Sequence, residues 1–416
     1  IQKSRLSYSE KFKESINKLK FEGRYRHFNE IERHAGLHPI ASWKVNYKKS
    51  DIIVWCSNDY LGMSQNDLII NSMINAVKNM GTSSGGTRNI SGNSSEIVNL
   101  EKELALLHGK EKALVFSSGY VANESGISTL LSILDDVVVF SDEKNHASII
   151  NGIKKSNAKK EIFRHNDISH LEKLIKNYPI QKHKVIIFES VYSMDGDFGD
   201  IENIVNIAKK YNALTYLDEV HSVGLYGEKG KGIAVEMKVD QDIDIINGTL
   251  AKAFGQMGGY IAATNEIIDY IRSFSPGFIF TTSICPSIAA GAGKAVEIVS
   301  LADQLRIKIH ENATTMRQLL ESIAIPYIDT NSHIISVMIN DPFLCKKVSE
   351  KLIDDYGIYA QPIFYPTVPK GLERLRITVT PKHRKEHIEN MVKCLDQVWS
   401  DLSLPRKNST QLQVNN

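Results

Sequence analysis

Lys252 stands near the end of the stretch Asp242-Ile-Asp-Ile-Ile-Asn-Gly-Thr-Leu-Ala-Lys-Ala-Phe-Gly-Gln-Met-Gly-Gly259. Small residues fence it (Gly248, Ala251, Ala253, Gly255), and no carboxylate lies close by in sequence. An amine in such surroundings is a candidate Schiff-base former, whereas the plainer alternative is a solvated lysine at a strand end.

Other reactive side chains gather in short polar clusters, each after an apolar run. They are Ser117-Ser-Gly-Tyr120, Ser141-Asp-Glu-Lys-Asn-His146, Glu189-Ser-Val-Tyr-Ser193, Asp218-Glu-Val-His221 and Thr249-Leu-Ala-Lys252. Ser117 to Tyr120 opens a helix, so its backbone N–H groups and the positive end of the helix dipole suit a phosphate. Asp218 closes an apolar strand, where a carboxylate is costly unless it meets a cation such as a protonated pyridine nitrogen. His146 could cover a ring face and His221 could reach a phenolic oxygen. Each histidine taken alone reads as an ordinary core or surface residue. Together with Lys252 they describe a pyridoxal 5′-phosphate site.

The elements that position these clusters follow from periodicity. Strands are expected near Ala113–Phe116, Val137–Phe140, Val185–Phe188, Leu214–Leu217 and Ile243–Ile246, the last followed by a Gly-Thr turn. Helical stretches alternate with them, which means a mainly parallel sheet covered on both faces. In such sheets ligands bind beyond the carboxyl ends of the strands, where all five clusters fall. Gly81 to Gly92 is a glycine-rich loop that either lines a ligand or serves as a connector. Upstream, Tyr8 to Arg26 reads as a helix delivering the basic Gly23-Arg-Tyr-Arg26, and Ile52 to Cys56 as a strand before the polar turn Ser57 to Gly62.

The chain has 416 residues, 42% hydrophobic and 24% charged, enough for a large and a smaller domain. A net charge of +2 argues against a nucleic-acid binder. Cys56, Cys285, Cys345 and Cys394 lack metal-ligand spacing, so no metal site is expected and a reducing compartment is. No apolar run is long enough to span a bilayer, and Ile1 to Lys20 lacks the pattern of a presequence. The expected location is therefore the cytoplasm, with the mitochondrial matrix open because processing upstream of Ile1 is conceivable.

The motifs Asp218-Glu-Val-His221, Gly248-Thr-Leu-Ala-Lys-Ala-Phe-Gly255, Ser141-Asp-Glu-Lys-Asn-His146 and Ser190-Val-Tyr-Ser-Met-Asp-Gly196 resemble those of the α-oxoamine synthases. These are pyridoxal-phosphate enzymes of the aspartate-aminotransferase fold (fold type I) that join an amino acid to an acyl-CoA. Glu22 to Arg26, Val54 to Gly62, Gly85 to Gly92, Pro276 to Ser283, Tyr365 to Pro369 and Glu373 to Arg376 point to the members that condense glycine with succinyl-CoA. The resemblance runs from about Glu22 to about Trp399. Two positions depart from it: Ala251 replaces the usual glycine before the lysine, and Asn93-Ser-Ser-Glu-Ile97 lacks a histidine common there.

The resemblance implies an α/β fold, with a mainly parallel large domain at 76–290 and a smaller α+β domain at 291–405. A substrate-closing segment at 1–75 and a disordered tail at 406–416 complete the division. It implies that Gly119, Tyr120 and Thr249 hold the phosphate, His146 stacks on the ring, Asp218 holds the pyridinium, and His221 and Ser193 address the phenolic oxygen. Thr281 and Thr282 would reach the phosphate of a neighbouring subunit, making a homodimer with shared sites. Arg376 would hold the glycine carboxylate, while Arg26, Asn58, Thr87, Asn89, Ile90, Ser141 and Thr367 would form the acyl-CoA pocket. Alternatives are a synthase for acetyl-CoA or a longer acyl-CoA, an aminotransferase, and last a non-enzymatic descendant.

Overall fold

A computed structural model describes residues 8–45 and 48–407. These fall into two compact units, 58–310 and a second formed by 8–57 with 311–407.

The larger unit is built on a seven-stranded sheet. Its order is Lys112–Phe116, Gly259–Ala263, Ile245–Thr249, Leu214–Asp218, Lys184–Glu189, Val138–Asp142 and Lys159–Phe163. Six strands share one direction, and Gly259–Ala263 runs against both of its neighbours. Val138–Asp142 and Lys184–Glu189 are buried at every position, as expected of parallel strands covered on both faces. Their β-branched side chains pack against helices. Val139, Ile187, Tyr216 and Ile245 share a core with Ile127 and Leu130 of helix Gly119–Ile133 and Ile149 of helix Ala147–Lys155. Full burial of one such aliphatic side chain contributes about 1.5–3 kcal/mol.

Several expectations need revision. Gly248 and Thr249 are not a turn but the end of the strand Ile245–Thr249. Gly248 pairs with Tyr260, and a Cβ at Gly248 would lie 2.2 Å from the Tyr260 ring, so this glycine makes room across the sheet. Strands Lys159–Phe163 and Gly259–Ala263 were not anticipated. The strand expected at Ile52 to Cys56 spans Lys48–Val54. The first helix is Tyr8–Phe21, and the chain turns at Gly23 with φ of 69° well before Arg26. Within the glycine-rich loop, Arg88–Gly92 forms one irregular helical turn, with Ser91 at φ 64°.

The smaller unit carries two sheets of its own. Glu30–Arg33, Ile40–Val45 and Lys48–Val54 are antiparallel, with Ile358–Tyr359 added parallel to the last. Arg374–Thr378 lies between Ile334–Met338 and Pro362–Ile363, antiparallel to both. Helices Pro342–Tyr356 and Lys385–Asp401 belong to the same unit, the first capped by the Asp341 carboxylate accepting from Leu344 N. Arg406 and Lys407, expected to be disordered, are held in place. Arg406 Nη1 donates to Ile323 O at 2.6 Å, and Lys407 N donates to Ala324 O at 2.8 Å. The rest of that tail and residues 1–7 lie outside the described residues. Among the described residues no helix is long and apolar enough to cross a membrane.

Candidate active site

In the larger unit the expected cofactor residues sit at the carboxyl ends of neighbouring strands. Asp218 is the last residue of its strand and 4% exposed. Its Oδ1 accepts from Val220 N at 2.8 Å and its Oδ2 from Asn123 Nδ2 at 2.7 Å. Both donors are neutral. Asn123 is in turn oriented by Tyr216, whose hydroxyl donates to its Oδ1 at 2.9 Å.

His146 caps helix Ala147–Lys155 through its own ring, Nδ1 accepting from Ser148 N at 3.2 Å. Although its surface is open to water, desolvation by the groups packed around it holds its pKa below the usual value. Nearby Asp218 pulls that value up and Lys252 pushes it further down. The three side chains thus share one electrostatic neighbourhood. Lys252 itself is half-buried, and its loop returns at Gly255, where φ is 64° and a Cβ would lie 2.3 Å from Ser64 N.

His221 is buried, and its Nδ1 lies 2.8 Å from the Tyr60 hydroxyl. That hydroxyl also donates to Asn58 Oδ1 at 3.3 Å, which ties an expected acyl-CoA residue to an expected cofactor residue. Ser193 is half-buried in the turn after strand Lys184–Glu189.

The phosphate expectation can be tested on backbone geometry. Ser118 caps helix Gly119–Ile133 by accepting from Val121 N, and Ser118 O accepts from Ala122 N, which leaves the N–H groups of Gly119 and Tyr120 outside these bonds. A Cβ at Gly119 would lie 3.3 Å from Thr249 Oγ1, and one at Gly259 would lie 2.4 Å from Gly119 N. Only bare backbone fits there, beside a hydroxyl. Amide donors, a buried carboxylate bonded by neutral donors, an accessible histidine and a nearby lysine together fit pyridoxal phosphate.

Thr87 forms a bridge with Thr282, and Ser283 N donates to Gly86 O at 3.0 Å, so the glycine-rich loop is paired to the Thr281 segment of the same chain. Thr87 Oγ1 donates to Asn89 Oδ1 at 2.7 Å, and Ile90 beside them is exposed. Ser141 is buried, its hydroxyl accepting from Asn145 Nδ2 at 2.9 Å. In the smaller unit, Arg26 Nη2 donates to Thr367 Oγ1 at 3.0 Å, bringing two expected acyl-CoA residues together. Arg376 is buried on strand Arg374–Thr378.

Three neighbours were given no role by the sequence, although Glu189 and Tyr60 lie within the polar cluster Glu189 to Ser193 and the polar turn Ser57 to Gly62: these two and Asn123. Glu189 is 3% exposed and lies directly across the parallel pairing from Asp218. Desolvation, then the Asp218 charge, raise its pKa well above the carboxylate range, and its Oε1 accepts the His146 N–H at 2.5 Å. The buried Glu189 carboxyl is thus biased toward its neutral form. The signal for Asn123 was a polar residue on a helix face otherwise facing the core.

The sequence model of the class I and II aminotransferases matches residues 50–395. The chain is 48% identical to the 5-aminolevulinate synthase of Paracoccus denitrificans over 97% of this chain and 100% of that one. It is also 48% identical to the enzyme of the same name from Rickettsia prowazekii, over 97% of each chain. Among solved structures it is similar to a serine palmitoyltransferase from S. paucimobilis with a bound PLP–myriocin aldimine, at 27% identity and a TM-score of 0.88, covering 95% of this chain and 99% of that one. An 8-amino-7-oxononanoate synthase from Francisella tularensis aligns at 25% identity and a TM-score of 0.72, over 85% of this chain and 99% of that one. With 48% identity carried across nearly the whole length of both chains, this chain belongs to the 5-aminolevulinate synthase family.

Proposed function

We propose that the chain condenses glycine with succinyl-CoA to give 5-aminolevulinate, CoA and CO2, with pyridoxal 5′-phosphate as cofactor. The observation that carries this reading is Asp218, a buried carboxylate among neutral donors, next to His146 and Lys252 at the ends of parallel strands. When bound, the cofactor supplies a pyridinium that takes up the electron pair released at the glycine Cα.

The chain's own residues do the rest. Gly119 and Tyr120 would donate backbone N–H groups to the phosphate, joined by the Thr249 hydroxyl once it turns from Gly258 O, to which it donates here at 3.1 Å. Asp218, held by Asn123 and Val220 N, keeps the ring nitrogen protonated. His146 covers one ring face, and His221, oriented by Tyr60, donates with Ser193 to the phenolic oxygen. Lys252 Nζ would hold the cofactor, and as a free amine it would take the Cα proton of bound glycine. Arg376 receives the glycine carboxylate, since a planar fork suits that group. Arg26 and Thr367, already paired, are the residues we assign to the terminal carboxylate of the succinyl group, and Asn58 is a further residue of the acyl-CoA set. Thr87, Asn89, Ile90 and Ser141 complete the acyl-CoA pocket. The CoA thiolate leaves when the new carbon–carbon bond forms, and the carboxyl group that came with glycine departs as CO2.

In our reading two copies assemble, with Thr281 and Thr282 of each reaching the phosphate held by the other. Four free cysteines fit a reducing compartment, which we take to be the cytoplasm or, after removal of a leader, the mitochondrial matrix. The test is direct. Purified protein, supplied with glycine and a panel of acyl-CoAs, should release CoA thiol and an aminoketone with succinyl-CoA far faster than with acetyl-CoA. Equal rates with both would reduce the reading to a synthase of unspecified acyl donor.

A further inference from the structure

Three neighbouring strands of the large sheet, Lys184–Glu189, Val138–Asp142 and Lys159–Phe163, end side by side, and one histidine spans their exits. His165 Nδ1 lies 2.9 Å from Asp142 Oδ1, and its Nε2 lies 2.5 Å from Asp197 Oδ2. The imidazole is only 10% exposed and Asp142 not at all. Ionised carboxylates only accept hydrogen bonds, so a ring bonded to one at each nitrogen carries both protons. Asp197 Oδ1 is buried without a hydrogen-bond partner among the described residues, which makes the ring its main compensation.

The surroundings bind the same two segments further. After the strand ending at Asp142, Asp142 itself accepts from Lys144 N and Asn166 N, and Glu143 Oε1 accepts from His165 N at 2.9 Å. From the segment after Glu189, the Tyr192 ring meets the imidazole edge-on at 4.4 Å, and Asp195 and Asp197 lie 2.5 and 3.9 Å from Lys144 Nζ. Asn166 completes the shell, its Nδ2 donating to Phe198 O at 2.8 Å. Desolvation disfavours the charged ring, yet hydrogen bonds and charge from Asp142 and Asp197 outweigh it and raise the His165 pKa to about 9.

Asp142 lies four residues before His146, and Asp197 four residues after Ser193. We propose that His165 is a positioning residue: as an imidazolium it ties the segment carrying His146 to the segment carrying Ser193, and so fixes where both side chains meet the cofactor ring. This role rests on the pyridoxal-phosphate reading above, and His165 itself touches neither cofactor nor substrate.

The test uses the full-length apo-protein. With nitrogen-15 histidine, both ring nitrogens of His165 should stay protonated to beyond about pH 8, whereas an ordinary histidine loses one near 6.5. His165→Asn should weaken pyridoxal phosphate binding, read by the cofactor's induced circular dichroism, by at least about tenfold, because small displacements of positioning groups cost that much. His165→Arg, which can reach two carboxylates, should restore most of it. A His165 ring that is neutral at pH 7, or an Asn variant that binds cofactor like wild type, overturns the role. If His165→Asn does not fold, the wild-type titration and the Arg variant still decide. A wild-type protein that binds no pyridoxal phosphate would overturn the proposed activity and this role with it, whereas a neutral ring overturns this role alone.

Discussion

Asp142 and Asp218 close parallel strands one strand apart in the same sheet, both fully buried, yet the chain treats them oppositely. Asp142 receives a cation from its own chain, His165, and backbone donors besides. Asp218 receives an amide and a backbone N–H, both neutral. Burying a carboxylate is costly, and the cost is tolerated where the compensating charge comes from outside the chain. Asp142, saturated by its own protein, is structural, and Asp218, given neutral donors at the expected cofactor site, is the acid we assign to a cation from outside the chain.

The sharpest way to break this comparison is to neutralise each acid in turn. Asp218→Asn should lower turnover by about a thousandfold or more, equivalent to about 4 kcal/mol in the barrier, with the fold intact. Lys252→Ala should lose turnover to the same extent, and borohydride should no longer fix pyridoxal phosphate to the chain. Asp142→Asn should instead cost stability, and turnover chiefly through weaker cofactor binding, so that excess pyridoxal phosphate recovers much of the rate. If excess cofactor rescued Asp218→Asn equally well, the two acids would not differ in kind.

A pH titration of stability probes the saturated acid. Folding raises the His165 pKa from 6.5 to about 9, so the folded state binds this proton more tightly than the unfolded chain does. That contribution is whole below about pH 6.5 and is lost as pH rises through about 9. At about 1.4 kcal/mol per pH unit over that window, the ceiling is about 3 kcal/mol. The difference in urea stability between wild type and His165→Asn should therefore be largest at pH 6 and shrink toward pH 9. A difference that grew with pH would mean the ring is neutral in the folded protein.

Asp218 was legible from sequence because an acid ending an apolar run is buried by the strand that carries it and so calls for a cation. Its partner was not. Asn123 is 95 residues away and reads as one more polar residue in a helix. His165 sits in Arg-His-Asn-Asp, which reads as a surface turn, and nothing local says that both ring nitrogens will find carboxylates. The strand Gly259–Ala263 went unseen because Gly and Ala dominate it and strand propensity is weak there, while its pairing with Ile245–Thr249 depends on tertiary contact. Gly248 misled for a related reason: glycine usually punctuates, and here it clears space for Tyr260.

The same contrast recurs among arginines, with a smaller expected effect. Arg24 Nε donates to Glu22 Oε2 at 2.7 Å, and Arg88 meets Glu101 with two bonds of 2.8 and 2.9 Å, so both guanidinium groups are matched within the chain. Arg26, two residues beyond Arg24, is exposed and bonded to a neutral hydroxyl, that of Thr367. By the logic of Asp218 it is, like Arg376, an arginine whose carboxylate comes from outside. Succinyl-CoA differs from butyryl-CoA chiefly in having that carboxylate. A charge-assisted contact at a water-accessible position is discounted by screening, which leaves about tenfold, or about 1.4 kcal/mol, between the two donors. Arg26→Leu should therefore abolish the preference for succinyl-CoA over butyryl-CoA in kcat/KM while leaving KM for glycine within about twofold, since a contact to one substrate should not alter binding of the other. Arg24→Leu should cost folding stability and leave the acyl preference in place. If the two variants shifted acyl preference alike, the distinction between matched and unmatched arginines would fail, and recognition of the succinyl group would have to be sought on other residues.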